Sequence, residues 1–437
     1  MVGGTEPSAV PVTLSSPGSP VKDSIKASPI PVRSARPSAV PAASGRPVPS
    51  DRIRRIVSLD WVRGWMLVAS VCANSLLLPP EWLDHAEWDS VHVMDLIFPI
   101  FVTLSGCGLA FAMHRGVKPL PLLRRAVILL LAGLVYNAVV LNSWSLDSWR
   151  VTGVLQLYAV VVVVLGLLHL LTRSWIGWAL ITVAISCGHT LLLALYAVDC
   201  PDKLLTRECN PAGPIDVALF GAGHVYGLGA VGHDPEGVVG ILGALICASA
   251  GATVGHLLLS ARAGSARRNA SIRRTVPAQG TGRRVSTSVL PIAAVAAGLW
   301  AASWLSAVIP ERIWGVTIPA MKRLWTAPFA FEVAAGTAIV LLLGHLLLDR
   351  KSVSRPLRLA SYPLVALGRN SLLVYFGSHV VMSLLSRALP SGSNLATEIA
   401  QTIAIQGHVQ TTWTAAILAL WLVLACVLHR FRIYLRP

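Results

Sequence analysis

The stretch Val160–Leu171 reads VVVVVLGLLHLL and decides the fold class. Similar apolar blocks recur from Leu59 to Leu428, and the 437-residue chain is 54% hydrophobic with only 13% charged residues. A soluble domain carries about a quarter charged residues. Strands of a membrane β-barrel alternate apolar and polar residues and do not form continuous apolar blocks. The pattern therefore predicts an all-α fold, a polytopic transmembrane helical bundle of about ten spans.

The predicted spans alternate across the membrane in a way that agrees with the charge pattern. The spans lie near residues 59–78, 93–113, 124–142, 153–172, 175–197, 237–260, 289–309, 326–348, 361–387 and 410–430. The basic loops 114–125, 261–288 and 349–360 then all fall on one side. Because positively charged loops face the cytosol, we expect a multi-pass protein of the cell membrane with both termini cytosolic.

Two segments lack the apolar pattern. Residues 1–55 are rich in Pro, Ser and Ala, and they predict a disordered basic cytosolic tail ahead of a transmembrane domain over residues 56–437. The loop 261–288 is rich in arginine and predicts a flexible basic cytosolic segment beside anionic headgroups. The net charge of +16 follows the positive-inside pattern, without aromatic residues interleaved for base stacking. Membrane lipids are therefore the expected partner, and nucleic acid is not.

Ionisable residues stand in or beside the first two spans. Asp60 and Arg63 are three positions apart and share a helix face, and Asp95 lies at the start of the second span. A charged group inside a membrane costs roughly 2.5–3.5 kcal/mol on insertion scales, so such residues mark functional sites. Two interpretations of Arg63 remain open: a structural ion pair with Asp60, or a bidentate partner for a phosphate.

His85 lies in the loop after the first span. A lone loop histidine is usually a solvated surface group, but here Asp84 and Glu87 are neighbours that can orient the imidazole. Asn74, at the end of the first span, faces the same end of the membrane. An asparagine amide and a histidine at one mouth can supply an oxyanion donor and a general base.

Further polar side chains interrupt the apolar surroundings, and each alone is a weak signal. Arg369 is the most informative, because a buried arginine requires a carboxylate, phosphate or carbonyl partner. The other candidates are Gln156, His224, Asp234, Trp325 and Asn370, together with Arg124 and Arg125 at a cytosolic mouth. We find no His-x-x-x-His or Cys-x-x-Cys spacing, so we propose no metal.

Two of the seven cysteines, Cys200 and Cys209, lie in the same external loop beside polar and turn residues. An oxidising outer compartment favours a disulfide between them. Two free thiols are the alternative. The other five cysteines lie in predicted spans, where we interpret them as small packing residues.

Taken together, these motifs resemble the heparan-α-glucosaminide N-acetyltransferase family. The similarity runs from about Ser58 to the C-terminus, as in a bacterial-type member without the large luminal domain. It departs at Leu157, where the family often has a basic residue. The similarity is densest in Ser58–Gly64, His85–Trp88, Asp95–Pro99, Gly153–Gln156, Asp234–Gly237, Leu324–Thr326 and Gly368–Ser371, with Asn74, Cys200, Cys209, Asp216 and His224.

The resemblance implies a transmembrane acetyltransferase that moves acetyl from cytosolic acetyl-CoA to an extracytoplasmic amino sugar, glycan or glycolipid. It implies that a homodimeric bundle holds acetyl-CoA between its spans. His85 would be the base or acetyl acceptor, and Asn74 the donor to the thioester carbonyl. The expected cofactor-binding residues are Arg63, Arg124, Arg125, Gln156, Arg369 and Asn370, with Asp60, Asp95, Trp325, His224 and Asp234 in supporting roles.

A multi-pass transporter for a small polar or anionic solute is the alternative interpretation. It predicts a substrate site at mid-depth, formed by broken helices, where the acetyltransferase predicts a histidine at one mouth. A lipid-binding membrane protein without chemistry leaves Arg63, Asp95 and Arg369 unexplained. Direct transfer and a two-step route through acetyl-histidine both remain open.

Overall fold

The computed structural model describes residues 56–275, 289–350, 352–390 and 392–435, so the predicted tail 1–55 lies outside it. Within these ranges the chain forms thirteen α-helices joined by loops and 3-10 turns. The helices are α1 (Val57–Asn74), α2 (Val93–Met113), α3 (Pro119–Val140), α4 (Val154–Leu171), α5 (Trp175–Val198), α6 (Ala212–Phe220), α7 (Val238–Thr275), α8 (Val289–Trp314), α9 (Ala327–Leu348), α10 (Arg355–Arg369), α11 (Ser371–Leu385), α12 (Leu395–Ile403) and α13 (Val409–Arg430).

Eight helices of the described part are long and apolar enough to cross a membrane: α2, α3, α4, α5, α7, α8, α9 and α13. The bent pair α10 and α11 passes the same test as one unit. α1 carries Asp60 and Arg63 and is less apolar, yet it packs against α2, α9, α10, α11 and α13. These elements coincide with the predicted spans, and the polytopic all-α bundle is confirmed.

The predicted span 361–387 is broken, which the sequence analysis did not predict. α10 and α11 meet at a bend of 73°. Asn370 at the break has φ −110° and ψ 28°, and its Nδ2 donates to the Ala366 carbonyl at 3.4 Å. Gly368 packs directly on the backbone of Asp60 and leaves no room for a Cβ. The break therefore lies beside the first turn of α1, and a tertiary contact fixes it.

Glycines bring α2 and α7 into close contact at the centre of the bundle. Gly106 of α2 packs on the Ala248 carbonyl of α7, and Gly251 of α7 packs on the Thr103 carbonyl of α2. Small residues allow membrane helices to approach at backbone distance, where van der Waals packing holds them. This contact fixes α2, the helix along which the candidate site is built. α7 itself continues as a helix to Thr275, and residues 276–288 of the predicted flexible loop lie outside the described residues.

The bundle has two ends that differ in chemistry. α1 begins and α2 ends at the arginine end, which we name for Arg63, Arg125 and Arg369. α1 ends and α2 begins at the histidine end, which we name for His85. The two ends are described in turn below.

Candidate active site

His85 and Asp95 form a hydrogen-bonded pair at the histidine end. The His85 Nδ1 lies 2.7 Å from Asp95 Oδ1, and the Asp95 carboxylate is buried with 1% of its side chain exposed. Asp95 also accepts the backbone N–H groups of Ala86 (3.1 Å) and His92 (3.0 Å). Because an ionised carboxylate only accepts, the pair places the proton on Nδ1 and leaves the Nε2 lone pair available. The half-exposed imidazole is thereby oriented as a base or nucleophile.

The sequence analysis expected Asp84 and Glu87 to orient this imidazole, and that expectation was wrong. Asp84 accepts the backbone N–H of His85 at 2.7 Å and not the ring. The side chain of Glu87 is 95% exposed. Asp95, ten residues away in sequence, takes the orienting role because the start of α2 lies under the loop.

Side chains from distant segments hold the loop that carries His85. Arg323 donates from Nε and Nη2 to the Ala86 carbonyl at 3.0 and 2.7 Å. Trp88 donates from Nε1 to the Leu205 carbonyl at 2.8 Å. Lys322, which is buried, places its Nζ 3.7 Å from Asp95 Oδ1. Neither Lys322 nor Arg323 was among the site candidates of the sequence analysis.

The disulfide lies behind this loop. Cys200 and Cys209 are bridged with an S–S distance of 2.02 Å. Their segment contains Leu205, whose carbonyl receives the Trp88 hydrogen bond. The backbone N–H of Thr206 donates to the Cys209 carbonyl at 3.1 Å. The bridge thus supports one of the anchor points of the histidine loop.

A cavity of about 390 Å³ runs through the bundle along α2. Its lining on α2 extends from Phe98 to Ala112, which is about 21 Å of helix. Phe98 is about one helical turn from Asp95, and neither Asp95 nor His85 is among the residues that line the cavity. The lining residues are Arg63, Phe98, Phe101, Ser105, Gly108, Leu109, Ala112, Arg125, Leu129, Tyr158, Gly368, Arg369, Ser371, Leu372, Tyr375, Phe376 and Leu435.

Three arginines line the cavity, two of them beside Asp60. Arg63 Nη1 is 4.0 Å from Asp60 Oδ1, and its Nη2 donates to the Leu104 carbonyl at 3.1 Å. Arg369 Nε is 3.4 Å from Asp60 Oδ2, and its Nη1 donates to the Tyr434 hydroxyl at 2.9 Å. Arg63 therefore both pairs with Asp60 and lines the cavity, so its two interpretations are compatible.

Arg125 differs from the other two arginines. Its Nε is buried and has no hydrogen-bond partner within the described part of the chain. The adjacent Arg124, predicted for the same role, is exposed and does not line the cavity. A buried N–H donor without a partner is costly, and an anionic ligand in the cavity would satisfy the Arg125 Nε.

The structure places the other predicted cofactor residues around the cavity and not in its lining. Gln156 is buried, and neither of its amide atoms has a partner among the described residues. Asn370 forms the helix break between two lining residues. Trp325 is fully buried and packs edge-on against Phe98 at 5.6 Å between ring centroids. Trp325 therefore supports the wall of the cavity nearest to Asp95.

Asn74 is the last residue of α1 and lies at the histidine end. Its Nδ2 is buried and has no partner in the described residues, and no hydrogen bond of the described part joins it to His85. An amide left without a partner fits a group that donates to a bound carbonyl oxygen.

A second cluster of charges, around Arg150, closes the histidine end. Arg150 Nη2 contacts Asp234 Oδ1 at 2.7 Å and Glu236 Oε2 at 2.8 Å, and Thr152 also donates to Asp234. The Nδ1 of His224 contacts the Trp149 carbonyl at 2.9 Å. Asp234 and His224 thus tie the segment before α4 to the segment before α7. Arg150, the centre of this cluster, was not among the sequence candidates.

Comparisons with known proteins show which sequences this chain resembles. Residues 55–206 match the family model described as heparan-alpha-glucosaminide N-acetyltransferase, catalytic. Proteins named heparan-alpha-glucosaminide N-acetyltransferase from Homo sapiens and Mus musculus are 26% and 24% identical over 432 residues. The alignments cover 87% of this chain and 59% and 60% of those proteins, so the chain spans about three fifths of their length. These matches confirm the resemblance of the chain to the heparan-α-glucosaminide N-acetyltransferase family.

Proposed function

We propose that this chain transfers acetyl from acetyl-CoA, entering at the arginine end, to an amino group of a sugar at the histidine end. The observation that carries this proposal is the cavity along α2. Its lining contains three arginines at one end and reaches Phe98, three residues from the carboxylate that contacts His85, at the other. A continuation of this cavity to His85 would allow a thioester to reach an acceptor across the membrane while the bundle excludes water.

The arginine end suits the anionic part of the donor. Arginine binds phosphate bidentately through its planar fork. Arg125 has a buried Nε without a partner among the described residues, and Ser371, the first residue of α11, also lines the cavity. The basic loops of the chain favour the cytosol at this end, which is the compartment that holds acetyl-CoA.

The apolar stretch of the cavity suits the rest of the donor. Phe98, Phe101 and Tyr375 line it between the arginines and the histidine loop. An extended thioester lying along α2 would bring its carbonyl to the turn that carries Asp95. Asn74, with its free amide donor, is the candidate to polarise that carbonyl.

The His85–Asp95 pair can carry the proton through the reaction. His85 Nε2 takes a proton from the attacking amine as the new C–N bond forms. The C–S bond then breaks, and the leaving thiolate recovers the proton from His85. Asp95 stabilises the imidazolium between these steps. In a two-step variant, Nε2 attacks the thioester itself, the C–S bond breaks and the CoA thiolate leaves. The amine then attacks the acetyl carbon, the bond to Nε2 breaks, and the proton lost by the amine goes to the thiolate.

The acceptor class is proposed from the relatives, whose names specify a glucosaminide. An amino sugar, as a free sugar or within a glycan or glycolipid, presents the amine that this chemistry requires. The transporter alternative gains one observation, the broken helix. The break lies beside Asp60 at the arginine end and not at mid-depth, which favours the acetyltransferase.

The experiment measures transfer of labelled acetyl from acetyl-CoA to glucosamine by purified protein in detergent or liposomes. We expect transfer by the wild type and a loss of about 10²–10⁴-fold for His85→Ala, with CoA binding retained because the cavity is intact. His408→Ala, which removes an exposed loop histidine before α13, is the matched control. Near-normal turnover by His85→Ala would refute the site, and no transfer to any amino sugar by a CoA-binding wild type would refute the function.

A further inference from the structure

A buried lysine touches the pair that orients the candidate catalytic histidine. Lys322 lies in the segment before α9, and its side chain is 10% exposed. Its Nζ is 3.7 Å from Asp95 Oδ1, the same oxygen that contacts His85 Nδ1 at 2.7 Å. One carboxylate oxygen thus lies between the Lys322 ammonium group and the His85 imidazole.

We propose that Lys322 is a positioning residue that acts through Asp95 to keep the His85 imidazole neutral. The effect on catalysis rests on the proposed function, whereas the effect on protonation does not. A histidine against a buried carboxylate tends to become a stable ion pair, and an imidazolium has no lone pair for catalysis. A cation on the same carboxylate oxygen opposes that protonation. It also keeps Asp95 ionised, so Nδ1 remains the donor.

The surroundings of Lys322 fit this role. Burial lowers the pKa of Lys322, while the nearby carboxylates of Glu236 and Asp95 act in the opposite direction. Glu236 is itself held by Arg150 at 2.8 Å. Asp95 is therefore the carboxylate that contacts both Lys322 and His85.

Other charges also face His85 and must be kept constant in any test. Asp84 and His92 belong to its own loop, and Arg323 comes from the segment before α9. From α11, His379 interacts electrostatically with His85. None of these groups shares the Asp95 oxygen in the described structure, so changing Lys322 alone isolates its effect.

The test measures protonation of His85 without relying on turnover. Diethyl pyrocarbonate carbethoxylates neutral imidazole, and mass spectrometry of the His85 peptide gives the modification rate as a function of pH. Removing the cation by Lys322→Met should shift the midpoint of this profile upward by about one pH unit, from Coulomb's law at roughly 6 Å with solvent screening. Lys322→Arg should restore the wild-type midpoint.

The control is Lys203→Met, which removes a lysine charge from an exposed position at the same end and should leave the midpoint in place. Lys322→Gln is the second variant if Lys322→Met is not recovered folded. An unchanged midpoint in the folded charge-removed variant, or an equal shift in Lys203→Met, would overturn the proposal. Since the readout is modification, absence of acetyl transfer would refute the proposed function and leave this result standing.

Discussion

Arg125 allows a test in which ligand binding and stability should change in opposite directions. The perturbation is Arg125→Met, which keeps an apolar stem of similar length and removes the guanidinium. Arg125 lines the cavity with its buried Nε unpartnered in the described structure, whereas Arg63 and Arg369 both contact Asp60. Arg125 can thus bind an anionic ligand, and its buried Nε destabilises the protein when no ligand is bound.

The two magnitudes follow from that difference. A charge-assisted hydrogen bond to a phosphate is worth about 1.5–3 kcal/mol, so the loss of one should weaken CoA binding about ten- to a hundredfold. A buried donor without a partner costs about 1–3 kcal/mol. Its removal should therefore raise the melting temperature of the ligand-free protein.

The assay is isothermal titration of CoA together with thermal unfolding in the same detergent, with and without CoA. Arg124→Met is the matched control, because it removes the same charge from the adjacent, exposed position of α3. We expect Arg124→Met to bind CoA within a few-fold of the wild type. Equal loss of affinity in both variants, or a lower melting temperature for ligand-free Arg125→Met, would refute the reasoning.

Three further predictions follow from the histidine end. Asp95→Asn should lower turnover by about 10²–10⁴-fold, because an amide N–H that donates to Nδ1 moves the imidazole proton to Nε2. The affinity for CoA should not change in this variant. The control Asp89→Asn, at an exposed position of the same loop, should have wild-type turnover. Asn74→Ala should cost on the order of 10²-fold in turnover, which steady-state kinetics would rank below the loss for His85→Ala, and an unaltered rate would remove it from the site. Burial raises the pKa of Asp216 to about 6, so its neutral form favours folding and that stability is lost as pH rises through about 6. The melting temperature of Asp216→Asn should therefore gain on that of the wild type between pH 4 and pH 7, and parallel curves would contradict the assignment.

The spans could be predicted because hydropathy is a local property. The predicted span 93–113 coincides with α2, and 175–197 coincides with α5 to within a residue. The break at Asn370 could not be predicted in this way. It depends on the packing of Gly368 against the first turn of α1, and no apolar count within a window contains that contact.

Several residues of the site could be predicted from the sequence, but the contacts between them could not. His85 and Asp95 were both candidates, because His85 stands in a loop with neighbouring carboxylates and Asp95 is an ionisable residue at the start of an apolar span. Their contact depends on how the loop folds back over α2, which sequence spacing leaves open. Arg150 and Lys322 had no motif of their own, and only the fold brings each of them to its carboxylates.

The distribution of charge along the cavity gives the proposed reaction its direction. The described lining contains three arginines and no carboxylate, and its one acidic neighbour, Asp60, is shared between two of those arginines. At the opposite end, three buried carboxylates have cationic partners: Asp95 has Lys322, and Asp234 and Glu236 have Arg150. An anionic donor is therefore expected to enter at the arginine end, while these charge pairs at the other end suit a neutral or weakly charged acceptor. Because free CoA keeps the phosphates of acetyl-CoA, it should also be retained and released at the arginine end, so that each turnover moves acetyl, and not the carrier, across the bundle.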